Sequence, residues 1–210
     1  PMNEAGGPGH LVRVSESGAC VERDIADRTL WWIDGPAPGE WYAVGERGTI
    51  VHEVDGMRSD ESVATQGTLY GVWSSGSNPV AVGGNPFENV GEVWRKEGDT
   101  WTLVAEDLEG VAFKVWEDWI VGDGVAWQLD GDTLTPRHPP NGEKLLPVRG
   151  RAPDDVWAVG GFSAPVLLHW DGSAWSEETV PPTCATAGLN GLWTGPVSYT
   201  HLTLPTTSFV

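Results

Sequence analysis

One short phrase returns four times along this chain. Tyr42-Ala43-Val44-Gly45, Val80-Ala81-Val82-Gly83, Trp119-Ile120-Val121-Gly122 and Trp157-Ala158-Val159-Gly160 begin 38, 39 and 38 residues apart. A regular period of this size marks an array of one supersecondary unit, each copy burying its apolar face against its neighbours. Within the phrase, apolar residues alternate with period two and end in glycine. That reads as a strand running into a turn, with Gly45, Gly83, Gly122 and Gly160 expected to supply backbone angles that other residues avoid.

A second strand follows each phrase: Thr49–Val54, Glu92–Arg95, Val125–Leu129 and Val166–Trp170. Each runs into an acidic residue followed by glycine (Asp55-Gly56, Glu97-Gly98, Asp130-Gly131, Asp171-Gly172), a strong hairpin signal between apolar runs. Four residues beyond the acidic position stands Trp101, Leu134 or Trp175, whereas the first repeat has Ser59. A further strand precedes each phrase, at Leu30–Trp32, Leu69–Trp73, Val111–Trp116 and Leu146–Val148. The chain opens on half a unit, Leu11–Val14, the turn Ser17-Gly18 and Val21, and a fifth copy starts at Leu189–Trp193.

Four short strands in about 40 residues, without a helical segment, describe the blade of a β-propeller. The expected fold is therefore all-β, with four-stranded antiparallel blades in an incomplete arc of about five. Units fall at about 30–68, 69–110, 111–144 and 145–188, with partial units at 9–29 and 189–195. A parallel β-helix lacks antiparallel hairpins, and a sandwich does not repeat its own sequence. Trp157–Gly161 followed by Leu168-His169-Trp170-Asp171-Gly172-Ser173-Ala174-Trp175 resembles the Trp-rich repeats of bacterial exported propellers. These are similar to the Asp-box repeats of sialidase-like propellers. The resemblance spans about residues 9–195 and implies export, to the cell exterior, cell surface or periplasm. The Asp-box match is partial, because Gly172 directly follows Asp171. An Asp box is a structural turn and carries no catalysis.

Residues 196–210 read differently. Val197–Thr206 matches a translated DNA-library adapter in one frame, so this tail is expected to be foreign, with the natural chain cut near Gly195. The start, Pro1-Met2, is likewise expected to be internal to a longer protein.

Thirteen Trp and 28 Gly suit tight turns between strands with large rings filling the layers. A net charge of −18 argues against nucleic acid and anionic membrane surfaces as partners, and no long apolar run suggests membrane insertion. No cofactor is expected. Acid-rich loops leave calcium open, but no segment shows the Asp/Asn/Gly ladder of a calcium loop. Cys20 and Cys184 show no metal-binding spacing, and both a long-range disulfide and two separate thiols fit them.

Propeller function sits in face loops. Two loops stand out. Gly84–Val90 is longer than its counterparts and carries Phe87 between the amides Asn85 and Asn89, with Glu88 beside it. Thr135–Asn141 gathers Arg137 and His138 on a proline-stiffened segment. These six residues are the candidate binding site for a glycan or a protein. Tyr42 falls in a core column with Val80, Trp119 and Trp157, the nine arginines occupy unrelated repeat positions, and no nucleophile elbow is present. His52 and His169 read as strand residues. Trp31, Trp73, Trp116 and Trp193 read as inter-blade packing rather than a stacking platform. The expected function is a non-catalytic recognition or scaffold module. One alternative is a fragment of a sialidase-like glycosidase or lyase with catalytic residues on other blades; another is a spacer array of a surface protein.

An incomplete arc exposes blade faces that a neighbour would cover. The 210-residue chain is therefore expected to dimerise or aggregate. Sedimentation velocity checks this, and a stable monomer across the micromolar range would contradict it.

Overall fold

The computed structural model describes residues 7–15, 18–76, 78–184, 187–194 and 200–203. Most of the adapter-like tail, and Ser17 of the first expected turn, lie outside them. The chain divides into two compact units, Pro1–Leu108 and Glu109–Val210.

The first unit opens with a hairpin, β1 (Gly9–Ser15) and β2 (Gly18–Ala26). Two four-stranded antiparallel sheets follow in meander order. Blade one holds β3 (Leu30–Ala37), β4 (Glu40–Gly45), β5 (Ile50–Val54) and β6 (Met57–Asp60). Blade two holds β7 (Thr68–Trp73), β8 (Val80–Asn85), β9 (Val90–Glu97) and β10 (Thr100–Glu109). The second unit contains blade three, with β11 (Ala112–Trp116), β12 (Trp119–Gly122), β13 (Ala126–Asp130) and β14 (Thr133–Pro136). Blade four follows, with β15 (Leu145–Ala152), β16 (Asp155–Gly160), β17 (Val166–Trp170) and β18 (Trp175–Glu177). A last pair joins β19 (Gly191–Thr194) to β20 (Thr200–Thr203). The four full blades coincide with the four sequence repeats.

The recurring phrase is the second strand of every blade. Its glycine has a different reason from the one the sequence suggested. None of the four has a positive φ, and Gly45 is extended at φ −166°. What they share is close approach. A Cβ on Gly45, Gly83, Gly122 or Gly160 would sit 2.0, 2.1, 1.9 or 1.9 Å from the carbonyl oxygen of Thr29, Thr68, Val111 or Lys144. That carbonyl, at the entry to the first strand, accepts the next backbone N–H in three blades (Glu46, Asp123 and Gly161, 2.9–3.0 Å). Opposite each glycine the first strand shifts register, after Leu30, Leu69, Ala112 and Leu145. A β-bulge at this point re-aims the strand and sharpens its twist.

The acidic-glycine turns close the third strand onto the fourth. Asp55 (φ 50°) and Gly56 (φ 82°) form a two-residue loop with both angles positive, the arrangement that matches strand twist. In blades two and three the acidic residue instead ends its strand, and the tight turn falls on Gly98-Asp99 and Gly131-Asp132.

One packing device joins the blades in both units. In the first, Trp101 of β10 meets Tyr42 of β4 edge-on at 6.0 Å between centroids. Its indole N–H donates to Glu61 Oε2 at 2.9 Å. In the second, Trp175 of β18 meets Trp119 of β12 edge-on at 5.2 Å and donates to the Arg137 carbonyl at 2.7 Å. Glu61 and Arg137 each follow directly on the fourth strand of the preceding blade. Trp170 completes the second cluster, 5.0 Å from Trp119. At the register-equivalent place in the first, Lys96 Nζ lies 5.3 Å from the Tyr42 ring centroid. Two of the recurrent first-strand tryptophans also meet the next blade. Trp31 is edge-on to Tyr70, and the Trp116 ring covers Gly150 so closely that a Cβ there would fall 2.6 Å away.

Gly122→Ala should destabilise the chain by about 2–3 kcal/mol, because the added methyl overlaps backbone rather than a side chain that can swing away. Gly76→Ala, with open space around it, should stay within about 1 kcal/mol of the parent. Urea unfolding of the two variants checks the contrast.

Candidate functional site

The two ends of the Gly84–Val90 segment are ladder and its middle is a four-residue turn. Gly84 pairs with Gly91 and Asn85 with Val90, so blade two extends its β8–β9 hairpin beyond the phrase glycine. Blade one closes the same connection with the short turn Glu46–Gly48. Four residues, Pro86 to Asn89, cap the extension, and Asn89 takes φ 55°, a left-handed angle that asparagine tolerates. The Asn85 side chain organises the tip. Its Oδ1 accepts the Phe87 N–H at 3.0 Å, and its Nδ2 donates to Glu88 Oε2 at 2.9 Å. Phe87 is left 95 % exposed on this braced turn. Asn85, Phe87, Glu88 and Asn89 thus share one hairpin end.

Arg137 and His138 lie in the second unit, where His138 packs on blade three and Arg137 reaches across to blade four. His138 Nδ1 accepts the Ala126 N–H at 3.1 Å, with its ring edge-on to Trp127. The Arg137 guanidinium carbon stands 5.5 Å from the Trp170 ring centroid. Its Nε is buried without a hydrogen-bond partner. A cavity of about 320 Å³ opens beside them, lined also by Trp170, Ser173 and Trp175.

A polar cluster that the sequence did not reveal sits between blades one and two. Glu61 accepts from Trp101, lies 2.8 Å from His52 Nδ1, and pairs with Lys96. Burial works to raise its pKa, but Lys96, Trp101 and His52 outweigh it and hold the carboxyl below its usual range. Tyr42 stacks on His52 at 3.9 Å. Burial, then the charges of Glu61 and Glu40, push its hydroxyl up to about 12. That is the reverse of what an activated phenolate nucleophile needs. His169 and Trp157 stack likewise in blade four at 4.3 Å, both bonded to Asp155 Oδ1. Apart from Trp157 and Asp155, two residues apart, these partners are separated by 9 to 40 residues, which left them without a local signal.

Other charged side chains are similarly occupied. Arg13 and Arg58 clamp Glu53, which is 1 % exposed, each at 2.7 Å, and both pair with Glu22. Arg151 pairs with Asp155. Among the described residues no group of three or more His, Cys, Asp or Glu side chains is placed to hold a metal ion. Cys20 is a free, exposed thiol; the side chain of Cys184 lies outside the described residues. No helix among the described residues is long and apolar enough to cross a membrane.

Comparison with solved structures places the fold. YCF48 from Cyanidioschyzon merolae superimposes with a TM-score of 0.63 at 14 % identity, covering 94 % of this chain and 72 % of that one. YCF48 bound to D1 peptide gives 0.58 at 17 %, covering 83 % and 63 %. The computationally designed Ika8 protein gives 0.56 at 13 %, covering 80 % and 52 %. The chain has the β-propeller fold. No family model and no curated protein matches the sequence.

The partial Asp box is a braced turn. Asp171 Oδ1 accepts the Ser173 N–H (2.8 Å), the Ser173 hydroxyl (2.7 Å) and the Ala174 N–H (2.9 Å). The Ala174 amide and the Ser173 hydroxyl and amide lower its pKa to about 2, from an ordinary 3.8. A carboxylate depressed in the folded state contributes stability that is complete above its unfolded pKa and lost as pH falls through the folded one. The Asp171 carboxyl carbon should therefore titrate near 2 by NMR. In Asp171→Asn that part of the acid-induced stability loss should disappear. A midpoint at 3.8 or above would contradict the bracing.

Proposed function

We propose that the chain is a non-catalytic recognition module that takes a peptide segment of a protein partner on the blade-two hairpin end. The observation that carries this reading is Phe87, 95 % exposed on a turn held by the Asn85 side chain. An aromatic ring presented on a rigid support loses little entropy on binding and fills a partner's apolar site well. A solved structure of the same fold is YCF48 bound to D1 peptide, which supports peptide recognition on such a scaffold. A glycan fits this end less well. Sugar hydroxyls call for available amides, and of the two amides at this end both ends of Asn85 are spent within the turn, which leaves Asn89. The proposal extends to an exported location, which rests on the resemblance of the repeats alone.

Panning a displayed random-peptide library against the chain should yield binders whose affinity falls about tenfold or more in Phe87→Ala, at unchanged unfolding midpoint. Binders indifferent to Phe87 would remove this hairpin as the site. Phe87-dependent signals on a glycan array, without peptide binders, would replace peptide by sugar.

A further inference from the structure

The connection that carries Phe87 joins the second and third strands of blade two. Blade four makes the same connection with residues 161–165, between β16 and β17, and it too carries one phenylalanine. Phe162 is 92 % exposed, beside 95 % for Phe87. In blades one and three the connection is 46–49 and 123–125, and neither holds an aromatic residue. Phe113, which lies on a strand, instead has Lys144 Nζ 4.6 Å from its ring centroid.

The backbone under Phe162 is held from both sides. The Gly161 N–H donates to the Lys144 carbonyl at 2.9 Å, and the Leu189 N–H donates to the Gly160 carbonyl at 2.9 Å. Leu189 is itself fully buried. Gly188 lies directly against the turn: a Cβ there would fall 2.1 Å from the Gly161 carbonyl oxygen. Within the turn Gly161 takes φ 84°, and a Cβ on it would fall 1.9 Å from the Ala164 carbonyl oxygen. The chain thus closes tightly at Gly161 and leaves the next side chain in solvent. A single exposed apolar side chain is ordinary on a protein surface. A phenylalanine at the same place in two repeats, each time on a backbone fixed beneath it, is a presented ring. Covering it removes apolar area from water, and the fixed turn loses little entropy in the process.

The charge beside the turn sets the sign of the partner. Pro165, in the same connection, lines a cavity of about 390 Å³ whose other walls are Glu177, Glu178, Thr179 and Val180. Both glutamates are exposed, and no Lys or Arg is among the described lining residues. A segment that brings an apolar side chain to Phe162 and a Lys or Arg beside it is complementary to both features.

We propose that Phe162 is a second peptide anchor of this chain, taking an apolar residue of a partner segment that carries Lys or Arg next to it. The proposal rests on the peptide-binding reading above and extends it to a second connection, and each anchor can be tested without the other.

Panning the displayed random-peptide library against the Phe87→Ala chain isolates the second anchor. It should still yield binders, enriched in Lys and Arg, whose affinity falls about tenfold or more when Phe162→Ala is added. Both rings stand in solvent, so the unfolding midpoint should stay unchanged in either variant. Glu177→Gln combined with Glu178→Gln should weaken the same binders about two- to threefold and reduce their salt dependence. No binders, or binders indifferent to Phe162, would overturn the second anchor. Binders that need Phe162 but ignore the two glutamine substitutions would overturn the basic residue assigned to the partner. Against the parent chain, binders that all depend on Phe87 and none on Phe162 would sink the second anchor alone. Binders that all depend on Phe162 and none on Phe87 would sink the blade-two hairpin reading alone.

Discussion

Everything distinctive about this chain depends on how a blade docks against the next. A four-stranded sheet of this size cannot bury both faces by itself, so blade-to-blade contact supplies the core. The contact is the same in both units: a fourth-strand indole packs edge-on against the first residue of the preceding blade's phrase. Its N–H then caps the segment leaving that blade. Trp101 does this on Tyr42 and Glu61, and Trp175 does it on Trp119 and the Arg137 carbonyl. An aromatic edge-to-face pair with its polar handle satisfied gives both attraction and direction. It sets the angle of the blades as well as their adhesion.

With that joint in place, the remaining positions can vary. Lys96 in the first unit stands where Trp170 stands in the second, and the surroundings adjust. Glu61 pairs with the ammonium, whereas Arg137 offers its guanidinium to the indole face. The joint thus tolerates an ionic or an aromatic solution, the second at the cost of a buried Arg137 Nε without a hydrogen bond. The same latitude lets blade two extend its β8–β9 hairpin into solvent. The β8–β9 ladder continues beneath it through Gly84–Gly91 and Asn85–Val90, so the extension presents Phe87 without breaking the blade's pairing.

Much of this was legible in the residues. The 38- and 39-residue spacing and the acidic-glycine turns marked the blades, and the bounds of the strands agree closely with the repeats. The column of Tyr42, Val80, Trp119 and Trp157 was read as core because it alternates with period two; the first three side chains are buried, whereas Trp157 is half-buried and stacked on His169. The hairpin that carries Phe87 stood out as the one connection longer than its counterparts. Other features were not legible. Arg137 and His138 looked like free loop residues, yet they lie against Trp170 and Trp127. Nothing local distinguishes a basic residue in solvent from one laid over an indole 33 residues later.

The sequence by itself determined the repeating unit, because strand alternation and turn chemistry are local and recur at a fixed period. It also marked the phrase glycine as special. Only the tertiary structure decided why. The glycine is needed for a carbonyl on the neighbouring strand, about 2 Å from where a Cβ would sit, and not for an unusual angle of its own. Likewise only folding decided that one oxygen of Glu92 would accept from Thr65 and the other be buried against Gly67. Contacts of this kind join residues 11 to 27 positions apart. Their energies depend on distances that the chain acquires only when its blades are packed.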